Sequence, residues 1–293
     1  MKKILLLLVL LSATFACDAI WKVGPAADSG PTQLLKDIFT ITKIKNDDNL
    51  ENIIKQTSFK WLRPKFMERW HSYCLLDRGQ KRELAKLIKN SVFYKEKLPK
   101  RKHYDALFLC CGLCCNMQKR IDFLIKLHNQ GITFDKIYLL GTTHPLRNGH
   151  DEEKKLVPIL NQKNINLNEM AMAEYLWQQT PMPDSLRLIP VESFKTVRHS
   201  DGFSSKMHCA LKVMVNSIKI TKGKSFLFVT NNPYICMHDA IAKNALAPYE
   251  VNVETVGAAM ESEQLEVVLG RIARCLYNLQ PDLKSSPAVV EAA

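Results

Sequence analysis

The stretch YDALFLCCGLCCNMQKRIDFLIKLHNQG, residues 104–131, decides the fold. Tyr104 to Cys111 is a short, unbroken apolar run, the pattern of a strand buried on both faces. Gly112 breaks it. Met117 to Asn129 then repeats apolar residues at helical spacing, with Ile121, Leu124, Ile125 and Leu127 on one stripe. Gly131 follows as a C-terminal stop. Strand, tight turn and amphipathic helix make one half of a crossover unit.

The same unit recurs downstream. Lys136 to Leu140, Leu186 to Glu192, Ser225 to Thr230 and Val251 to Val256 read as further strands. Helices are expected at Asn168 to Gln178, Ser204 to Asn216, Pro233 to Ala245 and Glu263 to Leu279, with Asn168 as N-cap of the first. A shorter helical turn falls at Leu156 to Leu160. Apolar strands alternating with helices predict an α/β fold: a Rossmann-like three-layer sandwich with a mainly parallel five-stranded sheet. Ligands of such sheets sit at the carboxyl ends of the strands. That rule selects four loops: Gly112–Asn116, Gly141–His150, Ser193–Gly202 and Asn231–Tyr234.

Upstream, the pattern is helical. Leu34, Leu35, Ile38 and Phe39 share a face, Leu50, Ile53 and Ile54 suggest a second short helix, and Gln80 to Phe93 a stronger one. Trp61, Phe66 and Trp70 are expected to pack on the main domain. The chain therefore divides into a signal at 1–16, a linker at 17–30, a helical segment at 31–102, the α/β domain at 103–280 and a disordered tail at 281–293.

The signal rests on Lys2 and Lys3 ahead of an apolar run from Ile4 to Leu11, followed by small residues to Ala16. A charged start, a short apolar core and a small-residue end predict export, to the periplasm. The run is too short to span a bilayer comfortably. Cys17 directly after Ala16 opens a second outcome, lipidation and attachment to the membrane on the periplasmic side, although Thr14 and Phe15 fit a lipoprotein pattern poorly.

The 293 residues are 46% hydrophobic and 24% charged, with a formal net charge of +12, which supports a core of ordinary size and excludes collagen-like or widely disordered classes. The dense basic cluster Lys95, Lys97, Lys100, Arg101 and Lys102 reads as a solvated linker or a contact to an anionic surface. No DNA- or RNA-binding signature accompanies the charge, so no nucleic-acid partner is expected.

Common catalytic motifs are missing. Gly223-Lys224-Ser225 is not a phosphate loop, because Ile218 stands where the leading glycine belongs and the strand follows instead of preceding. There is no GxSxG elbow and no HExxH helix. Cys111-Gly112-Leu113-Cys114 at a strand end offers a redox pair, since a helix N-terminus favours a thiolate; the same cysteines also read as small hydrophobes. His144, His150 and Asp151 share a polar loop, and no metal site is assigned. His199 and Asp201 offer a base and its orienter, or an ordinary turn. Thr230-Asn231-Asn232-Pro233-Tyr234 joins a buried strand to a helix whose start favours an anion.

Several of these segments together resemble the YdcF/SanA/ElyC-like superfamily of bacterial envelope proteins. Tyr104–Gly112 with Arg120 matches its first unit, Leu139-Leu140-Gly141-Thr142 its second, Asn168-Glu169-Met170-Ala171 its third, and Val229 to Tyr234 its last. Thr196 to Asp201 replaces the family's Asn-Thr loop, and His238-Asp239 stands where arginines are usual. The resemblance covers roughly residues 100–260. It implies an envelope-associated protein binding a phosphate-bearing or nucleotide-like ligand, an anionic small molecule or cell-envelope precursor, with hydrolase or transferase activity open and no cofactor specified. On this reading Gly112, Arg120, Gly141, Thr142, Thr230, Asn231, Asn232 and Tyr234 line the crevice. Arg120 faces the anion, and Glu169, with His199 and Asp201, is a candidate acid/base. Two alternatives stand beside it: a non-enzymatic scaffold using the helical segment, the basic linker and membrane association through the N-terminus, and a thiol oxidoreductase using Cys111 and Cys114.

Overall fold

A computed structural model describes residues 20–22, 30–46, 49–62, 76–146, 151–196, 206–260 and 265–279. The signal and Cys17, the tail, Phe66 and Trp70 lie outside these residues.

A small antiparallel pair, β1 (Trp21–Lys22) and β2 (Gly30–Pro31), opens the described chain. Three helices follow: α1 (Gln33–Thr42), α2 (Leu50–Trp61) and α3 (Arg78–Lys89). Each starts on a residue whose side chain accepts from a backbone N–H in the first turn: Thr32, Asn49 and Asp77. At α3 the return bond from Gln80 completes a capping box.

The sheet then builds in the expected rhythm. β3 (His103–Tyr104) and β4 (Ala106–Cys110) lead into α4 (Cys114–Asn129). β5 (Thr133–Phe134) and β6 (Ile137–Thr142) lead into α5 (Asp151–Gln162) and α6 (Glu169–Gln179). A single helical turn, α7 (Asp184–Arg187), precedes β7 (Val191–Thr196) and α8 (Lys206–Ser217). β8 (Ser225–Asn231), α9 (Ile235–Leu246), β9 (Asn252–Ala258) and α10 (Leu265–Tyr277) complete the fold.

Five strands form one sheet in the order β7-β6-β4-β8-β9, and every pairing is parallel. The fold is the Rossmann-like three-layer sandwich that the alternation predicts. Successive residues of β4 face opposite sides. Leu107 and Leu109 join the apolar cluster under α4 and α6, while Phe108 and Cys110 join the cluster under α8, α9 and α10. Phe108 stacks on Phe228 and Tyr138, its neighbours across the sheet, with ring centroids 4.6 and 5.0 Å apart.

The helical segment shares that second cluster. Leu35, Ile38, Phe39, Ile53 and Trp61 are buried with Val268, Leu269 and Ile272 of α10. Its apolar faces thus depend on the sheet domain for cover. The basic linker is not simply solvated. Lys97 pairs through its backbone with Gly257 of β9, and Lys100 N–H donates to Glu254. Arg101 reaches Ser225 Oγ at 2.7 Å. The linker therefore covers the outer edge of β9, where unpaired strand amides would otherwise face water.

One strand differs from expectation. The apolar run at 186–189 is not the third strand: Asp184–Arg187 forms α7, and the strand begins after Pro190 and runs to Thr196. β7 is an edge strand, and Phe194 is its one buried residue. An edge strand needs little apolar sequence, so apolarity pointed to the adjoining turn, where Leu186 is buried. The helix expected from Pro233 begins at Ile235, because Pro233 lies in the turn after β8.

Candidate functional site

Strand order locates the crevice. From β4 the chain moves outward through β6 to β7, then returns to the other side of β4 for β8 and β9. The reversal lies between β4 and β8. The helices that follow these two strands pack on opposite faces, the arrangement that places a crevice at the carboxyl ends of such sheets. The turns Cys111–Leu113 and Asn232–Tyr234 flank that point.

Arg120 lies between the ends of the two strands. It lies on α4 and is only 2% exposed. Its Nε donates to Asn231 Oδ1 at 2.8 Å, and its Nη1 to the Cys110 carbonyl at 2.5 Å. One guanidinium thus ties the ends of β4 and β8 to the helix between them. Gly112 makes room for it: a Cβ there would stand 3.0 Å from Arg120 Nη1. Asn231 in turn donates to Asn116 Oδ1 at 3.2 Å and to the Asn232 carbonyl at 3.0 Å. Arg120 lies 5.4 Å from the centre of the Tyr234 ring. Gly112, Arg120, Asn231 and Tyr234 therefore meet.

A second knot sits one strand over, at the end of β6. Thr142 Oγ1 donates to Glu169 Oε2 at 2.5 Å, and the Glu169 N–H donates to the His144 carbonyl at 3.0 Å. Glu169 opens α6, where a carboxylate is favoured by the helix dipole. Thr142 and Glu169 are both buried. A Cβ on Gly141 would lie 2.8 Å from Met170 Cε and 3.1 Å from Cys111 Sγ, so the glycine permits the close approach. Cys111 joins this knot. Burial pushes its thiol well above the ordinary range, the Glu169 carboxylate adds to that, and Arg120 opposes it. Burial likewise pushes Cys110 up to about 12. Both Cys111 and Cys114 are thiols in the structure.

Asn232 and Thr230 serve differently. The Asn232 amide nitrogen donates to the carbonyls of Val92 and Lys95, so it anchors the helical segment to the end of β8. Its Oδ1 and the Thr230 hydroxyl are buried without a partner. Thr230 O lies against β9, where a Cβ on Gly257 would stand 2.5 Å from it.

Two participants were not assigned a role by the sequence. Arg271 of α10 lies 4.4 Å from the centre of the Tyr234 ring. His238 of α9 packs beside the same ring, with centroids 5.8 Å apart. Burial, reinforced by the Arg120 and Arg271 charges, lowers the His238 pKa far below its usual value and keeps the imidazole neutral. Arg271 carried no signal, since it is one of two arginines, with Arg274, on an amphipathic helix. Asn116, the partner of Asn231, was visible only as the last residue of the Gly112–Asn116 loop, and it lies in the first turn of α4.

His150, His199 and Asp201 lie outside the described residues, as do the side chain of Asp151 and the remainder of the loops after β6 and β7. Among the described residues, no three His, Cys, Asp or Glu side chains gather where they could hold a metal ion. No described helix is long and apolar enough to cross a membrane. No known family model matches the chain, and no curated protein is significantly similar to it in sequence.

Proposed function

We propose that this protein binds a phosphate-bearing, nucleotide-like ligand in the cleft between β4 and β8, and that it acts in the bacterial envelope as a distant YdcF-like member. The observation that carries the ligand class is Arg120. Its guanidinium sits at the reversal of strand order and, among the described residues, donates only to uncharged oxygens. No acidic side chain occupies the first turn of α4 or α9, the two helices that start at the cleft. Both dipoles and the guanidinium therefore contribute positive potential at one place, which favours an anion. The N-terminal charge and apolar pattern of residues 1–16 supports the envelope part of the proposal.

A hydrolytic or transfer step would require a group that moves a proton at this edge. Glu169, already bonded to a hydroxyl at Thr142, is the described carboxylate placed for it. The oxidoreductase alternative needs a low-pKa thiolate. Cys111 is displaced in the opposite direction, which favours the anion-binding reading.

The test is a thermal-shift series on the wild-type protein with inorganic phosphate, nucleotides and sugar nucleotides. A ligand at 100 times its Kd stabilises the fold by about 2.7 kcal/mol and raises Tm accordingly. A shift that weakens with added salt is expected. Unchanged Tm with every phosphate compound would overturn the proposal.

A further inference from the structure

Tyr234 is the centre of an unbalanced set of charges. Arg120 and Arg271 both lie against its ring, at 5.4 and 4.4 Å. Among the described residues, no carboxylate pairs with either guanidinium. The nearest acid in sequence, Asp239, is ion-paired with Lys243 at 2.8 Å. His238, 5% exposed, brings no charge of its own, and its Nδ1 is buried with no partner. Arg271 Nε is also buried with no partner.

A folded chain seldom keeps two guanidinium ions around one ring with the Nε of one of them and a neighbouring imidazole nitrogen unmatched. Each buried, uncompensated group is unfavourable unless something supplies the missing acceptor. Cation–π contact with Tyr234 offsets part of this for each arginine but satisfies no N–H donor; Arg120 has acceptors elsewhere, at Asn231 Oδ1 and the Cys110 carbonyl, whereas the Arg271 Nε has none among the described residues. What the cluster lacks is negative charge with several acceptor oxygens. Arg120 comes to the ring from α4 and Arg271 from α10, so the two cations address different parts of a ligand.

We infer that Arg271, Tyr234 and His238 form a second anion subsite, and that the ligand carries two linked anionic groups, as a diphosphate does. One phosphate lies at the Arg120 end of the cleft. The other accepts from Arg271, with the neutral His238 as a further hydrogen-bond donor. This inference rests on the phosphate-binding proposal and narrows its ligand to the pyrophosphate class.

Titration calorimetry on the full chain, at constant ionic strength, compares inorganic pyrophosphate with orthophosphate. Wild type is expected to bind pyrophosphate at least about tenfold more tightly. Arg271→Gln should abolish that preference while leaving orthophosphate affinity within about twofold. Ligand-free Arg271→Gln should unfold at the same or higher urea concentration, because it removes an unmatched charge. Equal wild-type affinity for the two anions would sink the second subsite and leave the first standing. Equal weakening of both anions by Arg271→Gln, or loss of ligand-free stability, would make Arg271 a structural residue and overturn the inference. Binding of neither anion would overturn the phosphate reading and the subsite together.

Discussion

At the amino ends of the strands, Lys224 meets Asp105 at 2.5 Å and Lys136 meets Glu192 at 2.6 Å. There the Tyr104 hydroxyl donates to Glu254, and the Arg101 N–H donates to that hydroxyl. At the carboxyl ends, among the described residues, Arg120 finds only amide oxygens, Arg271 finds only an aromatic ring, and the hydroxyl of Thr230 finds no partner. Both regions belong to one sheet and were built by the same strand-helix alternation. The amino end neutralises its own charges and needs no further partner. The carboxyl end leaves positive charge and donors unmatched around a cleft. Self-satisfied polar networks hold a fold together, whereas an unsatisfied one in a native protein requires an explanation, and a ligand is the simplest.

The contrast is open to attack by mutation. The largest effect is expected at Arg120, because its bonds tie the ends of β4 and β8 even without ligand. Arg120→Ala strands the Cys110 carbonyl and Asn231 Oδ1 and opens a cavity, for a loss of about 3–5 kcal/mol. Urea unfolding would read it, and a loss under about 1 kcal/mol would mean that Arg120 is held for the ligand alone.

Next comes the packing of β9 on β8. Gly257→Ala drives a methyl group into the Thr230 carbonyl, where backbone cannot yield, and should destabilise by about 2–3 kcal/mol. An unchanged urea midpoint would show that the β9 edge, with the linker bonded to it, shifts as a unit.

At the amino end, Tyr104→Phe deletes one buried hydroxyl from a chain of three groups and should lower stability by about 1–2 kcal/mol. It should leave any phosphate-induced Tm shift intact. A changed shift would break the separation between the two ends.

The smallest effect is expected at Asp105. Burial pulls its carboxyl up, but hydrogen bonds from Lys224 and the Ser225 N–H outweigh this and hold it below its ordinary value of 3.8. A depressed carboxyl stabilises the fold above its unfolded-state pKa and loses that contribution as pH falls through the folded-state value. Wild type should therefore exceed Asp105→Asn in stability at neutral pH, with the gap closing on acidification below about pH 4. A gap independent of pH would mean that the side chain acts through shape and not charge.

Much of the architecture was legible in the chain. Non-alternating apolar strands between amphipathic helices require burial on both faces, so the sandwich follows from β4, β6 and β8 alone. The edge strand β7 was misplaced because burial there falls on Phe194, and apolar content carries little information where one side faces water. The turns after β4, β6 and β8 were selected as candidates because the carboxyl-end rule depends only on the direction of each strand. What those residues do was less visible. Asn232 holds the carbonyls of Val92 and Lys95 of the helical segment, a contact between regions that share no pattern. The Cys111-Gly112-Leu113-Cys114 spacing suggested redox chemistry. Its local environment, burial beside Glu169, is set by a helix that begins far along the chain.

By itself, the sequence determined the parallel sandwich and the helical segment ahead of it, because these depend on periodicity and local turn chemistry. Only the tertiary structure decided that Arg120 is bound by the strand ends, that the basic linker seals β9, and that Arg271 reaches the Tyr234 ring. Those outcomes depend on which crossovers bring distant side chains together, and no residue's neighbours in sequence encode its neighbours in space.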